Sequence, residues 1–443
     1  MMKKQLICIL MLMPLMATAF TGNAEIGDLK YNIVTKGKTA EVIGLAYGKK
    51  PTEIVIPETI EYEGVICNVI SICDYAFDEK DWISSVTIPK SVKEIGYRAF
   101  HNCYELSNII FSNGLISIGD NCFSGCKNLK MLIIPSGVTE IGEQAFISCS
   151  GLTSVFIPSS VNVIGQAAFV SCSGLNSVHI EDLASWCQIS FKDVYANPLS
   201  YAQHLYINQK EITDLIIPQG VTTISYGSFY SCKGLKSITL PNSVISIGGS
   251  AFMNCSGIKI INLGSSITNL YASAFANCSE ITDVYCYSEK IPGYYNELFK
   301  DSYINYATLH VLDNLVGDYK TASGWKGFGT IIGIDSESLP QCAKPEIAFN
   351  EGSISFSCVT EGVGFVPEVV YADKSINNID NINLASKYTI RVYATKNGYR
   401  NSDVTTAEII IGYGQAVMLG DVDGNGKVNV ADHVELSKII LNQ

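Results

Sequence analysis

The residues best equipped for chemistry stand close to the end of the chain. Residues 421–432 read DVDGNGKVNVAD. Asp421, Asp423 and Asn425 set side-chain oxygens at positions 1, 3 and 5 of a twelve-residue loop, and Gly426 permits the sharp turn at position 6. Lys427 offers its backbone carbonyl at position 7, Asn429 acts through water at position 9, and Asp432 closes the ring at position 12. Ca²⁺ takes about six to eight such oxygens in a flexible cage, so this spacing predicts one Ca²⁺ site. The bland alternative is an ordinary Asp/Asn-rich surface turn. A helix is expected to follow, with Val430, Val434 and Leu441 on one side.

Other chemistry is scarce. The five histidines (His101, His179, His204, His310, His433) are scattered and show no paired metal-ligand spacing. No serine sits in a G-x-S-x-G elbow, no glycine-rich phosphate loop is present, and no two carboxylates converge by spacing. An enzyme is therefore not expected. Tyr294, Tyr295 and Trp325 admit two readings, a sugar platform or packing at the end of a domain.

The elements that would carry such residues follow from composition and period. The 443 residues hold 42 acidic and 30 basic side chains, a net charge of −12, which argues against a nucleic-acid partner. Residues 1–24 read as a signal peptide: Lys3 and Lys4, an apolar stretch from Leu6 to Met16, then small-residue cleavage sites ending at Ala19 or Ala24. No later run is long enough to span a bilayer. The mature chain is thus expected to be secreted or held at a cell surface.

Cys103, Cys126, Cys149 and Cys172 recur every 23 residues, as do Cys232, Cys255 and Cys278, and each follows a Phe by three. This is the mark of a repeat, and it predicts a ladder of buried thiols in preference to disulfides. Units begin at Ile83, Leu106, Leu129, Leu152, Leu175, Ile212, Leu235 and Ile258, with a partial one near Ile54 and a divergent one at Ile281. In LTSVFIPSSVNVIGQAAFVSCSG, Leu152, Val155 and Ile157 alternate inward as a short strand, and Pro158 ends it. Val161 and Ile164 form a second short apolar pair. Ala168, Phe169 and Cys172 suit a single turn of helix. One unit cannot cover its own apolar groups, so neighbours must stack into a solenoid.

The L-x-x-V-x-I-P strand, the V-x-x-I-G corner and the A-F-x-x-C turn resemble the BspA-type leucine-rich repeats of bacterial and some protozoal surface proteins. The resemblance covers roughly residues 40–335. It implies a mostly β leucine-rich-repeat solenoid and an adhesin or interaction module. The whole solenoid is expected over 25–335, with an insertion near 180–211 and a C-terminal cap over 281–335. In the insertion, 182–187 reads as a short helix, and Leu205 to Ile207 with Asp214 to Ile217 reads as a hairpin about Asn208-Gln209. It is expected to project from one edge of the solenoid, either as a functional loop or as a locally packed protrusion.

The fourth residue after each repeat start should point outward, which stacks Ile110, Ile133, Phe156 and His179 on a face otherwise lined by Ser and Thr. The apolar members are a candidate contact for a protein or carbohydrate ligand. The alternative is that such residues simply suit a strand.

Beyond the repeats, residues 340–413 alternate like strands, and Tyr388 to Ser402 resembles the immunoglobulin- or fibronectin-III-like spacers of bacterial surface proteins. A small β-sandwich is expected, with Cys342 and Cys358 as a conceivable disulfide. Residues 414–443 resemble half of a type I dockerin, whose loop closes with Asp and which in complete form carries two such repeats. That likeness implies a short loop-helix tail and a cohesin-like partner. At the positions that usually read cohesin, however, stand Val430, Ala431, Ser437 and Lys438. Two functions are therefore open: a secreted binding or adhesion protein, or a component of an extracellular polysaccharide-degrading assembly.

Overall fold

A computed structural model describes residues 21–335, 341–350, 353–360, 363–373, 384–396, 398–412 and 416–419. The expected Ca²⁺ loop, the helix expected after it and the apolar part of the expected leader lie outside the described residues. Two compact units are present, residues 1–181 with 190–202, and residues 182–189 with 203–443.

In the first unit the 23-residue period becomes hydrogen-bond register. The strand Ser154–Ile157 pairs in parallel with Ser177–Ile180, and Met131–Ile133 pairs with Ser154–Ile157, each residue meeting the one 23 positions later. A second ladder of two-residue strands runs through Glu94–Ile95, Ser117–Ile118, Glu140–Ile141 and Val163–Ile164 with the same offset. Pro158 is buried at the end of its strand, where it has no amide to donate. Leu152, Val155, Ile157, Val161 and Ile164 are all fully buried, as the alternation predicts.

The corner glycines have a steric reason. A Cβ on Gly142 would stand 2.6 Å from the backbone nitrogen of Asp120 on the rung before, and one on Gly165 would stand 2.4 Å from that of Glu143. Tyr271 occupies the same repeat position in the second unit.

The A-F-x-x-C segment differs from the expected turn of helix. Two residues before and two after each Phe the backbone is left-handed: Arg98 and Asn102 flank Phe100, Gln144 and Ser148 flank Phe146, Ser250 and Asn254 flank Phe252. Left-handed residues at that interval cannot sustain α-helical hydrogen bonds. The amides turn instead to the next rung, with Phe100 N donating to Cys122 O at 2.8 Å and Asn102 N to Ser124 O at 2.7 Å. Asn, Ser and Gly recur at the trailing position (Asn102, Gly125, Ser148, Ser171, Ser231, Asn254, Asn277), a signal that pointed to this conformation.

The turns stack two ladders inside. Phe77, Phe100, Phe123, Phe146 and Phe169 lie ring over ring with centroids 4.9 to 5.5 Å apart. Beside them each Cys Sγ donates to the carbonyl of the Phe 26 residues earlier: Cys126 to Phe100 at 3.3 Å, Cys149 to Phe123 at 3.2 Å, Cys172 to Phe146 at 3.2 Å. The fourteen described cysteines are all free thiols, Cys342 and Cys358 among them.

The N-terminal end is closed by a feature that the repeat pattern did not disclose. Thr21–Ile26, Leu29–Val34 and Thr39–Leu45 form an antiparallel meander, and only Thr39–Leu45 passes into the parallel ladder through Val65–Ile72. Tyr31, Ile33, Ala40 and Val42 are buried beneath it. Thr21–Ile26 overlaps the expected leader, so a cut after Ala19 keeps this strand whole and a cut after Ala24 removes its first four residues.

The second unit repeats the scheme through Asp214–Ile216, Ser237–Thr239, Ile260–Leu263 and Asp283–Cys286, again at an offset of 23. The region expected as a cap holds two more parallel strands, Thr308–Leu312 and Thr330–Ile334, at offsets of 25 and then 22 residues. Trp325 is fully buried there against Phe299, Phe328 and the equally buried Tyr319. Trp325 is therefore packing, and the sugar-platform reading does not hold for it.

The insertion also packs down. Leu183–Gln188 is a helix capped by Asp182, whose Oδ2 accepts from Ser185 N at 2.6 Å. Trp186 is 1% exposed and its indole N–H donates to Ser228 O at 2.9 Å, so the helix lines the interior of its unit and does not project. The hairpin is real but shorter than expected: Leu205–Ile207 pairs with Lys210–Glu211, and Asp214–Ile216 instead begins the parallel ladder.

The last part of this unit is antiparallel. Glu346–Asn350 pairs with Ser353–Ser357, and the strands Gly364–Asp373, Leu384–Thr395, Thr405–Gly412 and Ala416–Leu419 form a sheet in chain order. Ile347, Ile390, Val392 and Ala407 share a small core. This part rests on the rungs: Asn242 donates a hydrogen bond to the buried Thr395 hydroxyl, and Gly398 lies against the Tyr287 hydroxyl.

Candidate binding face on the repeat strands

Parallel strands that bury every second residue must turn the alternate ones outward. Along the first unit this exposes Ile110 (50%) and Ile133 (54%), while Phe156 and His179 are half-buried. Ile133, Phe156 and His179 are direct partners on successive strands. Ile110 lies one period before Ile133 but belongs to a separate ladder, Glu53–Val55, Ser85–Ile88 and Asn108–Phe111. In that last strand the normally buried positions, Ile109 and Phe111, are only half-buried.

Met131 is a neighbour that the periodic reading passed over. It sits two residues before Ile133, is 61% exposed, and widens the apolar stretch sideways. The second outward position of each repeat is mostly Ser, so the sequence offered a signal in the one Met among them: Ser85, Asn108, Met131, Ser154, Ser177.

On the second unit the outward positions build something different. Tyr285 and His310 are strand partners with rings stacked 4.0 Å apart and nearly parallel. His310 Nε2 meets Asp283 Oδ1 at 2.8 Å, and Tyr287 lies beside Tyr285. Burial and then Asp283 push the Tyr285 phenol upward, and burial followed by Tyr285 does the same for Tyr287. Both phenols thus stay neutral donors on an aromatic ledge. At the end of the unit's other ladder, Tyr295 is half-exposed and stacks on Tyr271 at 4.8 Å.

The residues expected to bind Ca²⁺, Asp421, Asp423, Asn425, Lys427, Asn429 and Asp432, lie outside the described residues. No helix among the described residues is long and apolar enough to cross a membrane.

Comparison with known proteins bears on the repeats alone. Several solved structures are similar, each with a low structural score. A leucine-rich cell surface protein from Faecalibacterium prausnitzii A2-165 is 24% identical, with 71% of this chain and 96% of that one covered and a TM-score of 0.36. The T. pallidum leucine-rich-repeat protein is also 24% identical, covering 53% and 91% with a TM-score of 0.36. Pneumococcal vaccine antigen PcpA is 18% identical, covering 72% and 100% with a TM-score of 0.38. No curated protein matches the chain. The family model for the BspA type leucine-rich-repeat region matches in six copies, over residues 70–196 and 201–319. Those copies span more than half of the chain and coincide with the rungs described above, so the protein belongs to the BspA-type leucine-rich-repeat family.

Proposed function

We propose that this is an exported, non-catalytic binding protein whose outward strand face on the first unit docks a partner protein. The observation that carries this reading is the exposure of Met131 and Ile133 beside Phe156 on strands held in fixed parallel register, with the exposed Ile110 one period earlier on its separate ladder. Contiguous exposed apolar surface of this kind is characteristic of interaction sites. The ledge of Tyr285, Tyr287 and His310 is the second candidate, and its chemistry suits a glycan, whose apolar ring faces stack on aromatics while hydroxyls meet the phenols.

The test is an array of extracellular-matrix proteins and glycans probed with the wild-type chain and with an Ile133→Ser/Phe156→Ser double variant. Both changes lie on the surface, so the fold is expected to hold. Loss of the protein signals by about tenfold or more, the scale of an interface hot spot, supports the reading. Protein signals untouched by the double variant sink it. Glycan signals that survive it would transfer the function to the second ledge.

The C-terminal loop is proposed to hold one Ca²⁺ through Asp421, Asp423, Asn425, Asp432, the Lys427 carbonyl and an Asn429-bound water. Calorimetric titration of Ca²⁺ should give a single binding event that disappears in Asp421→Ala. An unchanged isotherm in that variant would place the ion elsewhere. Through this tail a cohesin-like partner, and with it membership of a polysaccharide-degrading assembly, remains the alternative function. The immunoglobulin-like sandwich assignment of 340–413 and cleavage after Ala19 belong to the same proposal.

A further inference from the structure

The position after the ladder Phe is not a usual place for metal-binding residues in this chain. It holds Ser124, Ile147, Val170, Tyr230, Met253 and Ala276 in six rungs, but Asp78 and His101 in the first two. The 23-residue register lays these two side by side, and His101 Nδ1 meets Asp78 Oδ1 at 2.7 Å. Both side chains are mostly buried, at 17% and 25% exposure. Glu79 completes the group. It takes the left-handed position that other rungs give to Asn, Ser or Gly, and its amide donates to His101 O at 2.8 Å. One donor atom each from Asp78, Glu79 and His101 lies within 4.8 Å of the other two, the one such trio found among the described residues. The other two His–carboxylate contacts, His204 with Glu211 and His310 with Asp283, lack a third donor.

We propose that Asp78, Glu79 and His101 form a binding site for a first-row divalent cation, with Zn²⁺ as the occupant to be tested. One imidazole nitrogen and two carboxylates suit Zn²⁺ better than Ca²⁺ or Mg²⁺, which favour all-oxygen shells. Bonds of about 2.0–2.1 Å at a tetrahedral angle separate two ligand atoms by about 3.3 Å. The His101–Asp78 contact must therefore open by about half an ångström, which the remaining exposure of both groups allows. Water takes the fourth position. Asp78 and Glu79 belong to one rung and His101 to the next, so the ion clamps the two rungs together at the N-terminal end of the Phe ladder.

The decisive experiment titrates Zn²⁺ into the full-length mature chain saturated with Ca²⁺, alongside His101→Ala, Asp78→Asn and the C-terminal Asp421→Ala. One Zn²⁺ per chain is expected in the wild type and in Asp421→Ala. Affinity should fall by at least about tenfold in His101→Ala and in Asp78→Asn, since even outer-shell changes weaken metal sites by that much. Co²⁺ should bind at the same stoichiometry without a thiolate charge-transfer band, and Zn²⁺ should raise the melting temperature of the wild type but not of folded His101→Ala. Absence of Zn²⁺ heat overturns the proposal. So does Zn²⁺ binding that His101→Ala leaves intact, or a thiolate band with Co²⁺, which would move the ion to a cysteine.

Discussion

Phe123→Ala should destabilise the first unit by about 3–5 kcal/mol, the range for a fully buried Phe cut to Ala. Phe123 is completely buried, stacks on Phe100 at 5.3 Å and Phe146 at 5.5 Å, and takes Phe111 edge-on at 6.1 Å. Its removal opens a void that the stack cannot close, because the strands on either side are fixed by parallel pairing one rung apart. Phe156→Ala, on the outward face, should cost less than about half as much. Denaturant unfolding of both variants gives the comparison, and hydrogen exchange across 83–150 adds a local measure, since repeat arrays need not unfold in one step. A loss below about 1 kcal/mol for Phe123→Ala would mean that the ladder does not couple its rungs.

Alkali should unfold the protein well before ordinary surface titration would. Burial pushes the thiols of Cys103, Cys172, Cys232 and Cys278, all in the ladder, and of Cys187 in the inserted helix, from an ordinary value near 9 up to about 12. Between these limits the unfolded chain gives up the protons while the folded chain keeps them. The unfolded state therefore binds fewer protons, and stability falls as pH rises. It is fully present below about pH 9 and is lost progressively towards pH 12. Each thiol contributes about 1.4 kcal/mol per pH unit in that window. Five acting together would exhaust a stability of about 5–15 kcal/mol within about one to two pH units. Circular dichroism should show cooperative loss of structure near pH 10–11. At pH 8 the ladder thiols should resist a disulfide reagent until denaturant is added. A urea midpoint that stays flat from pH 8 to 11 would refute the burial of these groups.

The repeat itself was readable because a solenoid writes its register into the chain. Leu152, Val155 and Ile157 recur at fixed intervals, and pairing at an offset of 23 in the strands confirms what the cysteines announced. What escaped was set by contacts between rungs rather than within one. The left-handed residues around each Phe exist because their amides bond the next rung, and a spacing of three to four in one rung looks the same as a turn of helix. The N-terminal meander lacks the repeat and so left no periodic trace. Trp186 looked like part of a protruding loop until its indole was found against Ser228. At the candidate face, Ile133 and Phe156 followed from alternation alone. Met131 needed exposure as well as pattern, and the Tyr285–His310 stack needed the offset of 25 that breaks the count. The Asp78–Glu79–His101 group is visible in one dimension only once the period is used to fold the sequence onto itself.

The 23-residue register of the rungs also decides how they answer a mechanical load. A rung that lets go under tension releases 23 residues, about 80 Å of slack when drawn out, from a stack that shortens by only about 5 Å. Each rung is bound chiefly to its two neighbours, so a pull peels them one after another instead of breaking the whole body at once. A tether built this way lengthens many-fold between two anchored points while its remaining rungs keep hold.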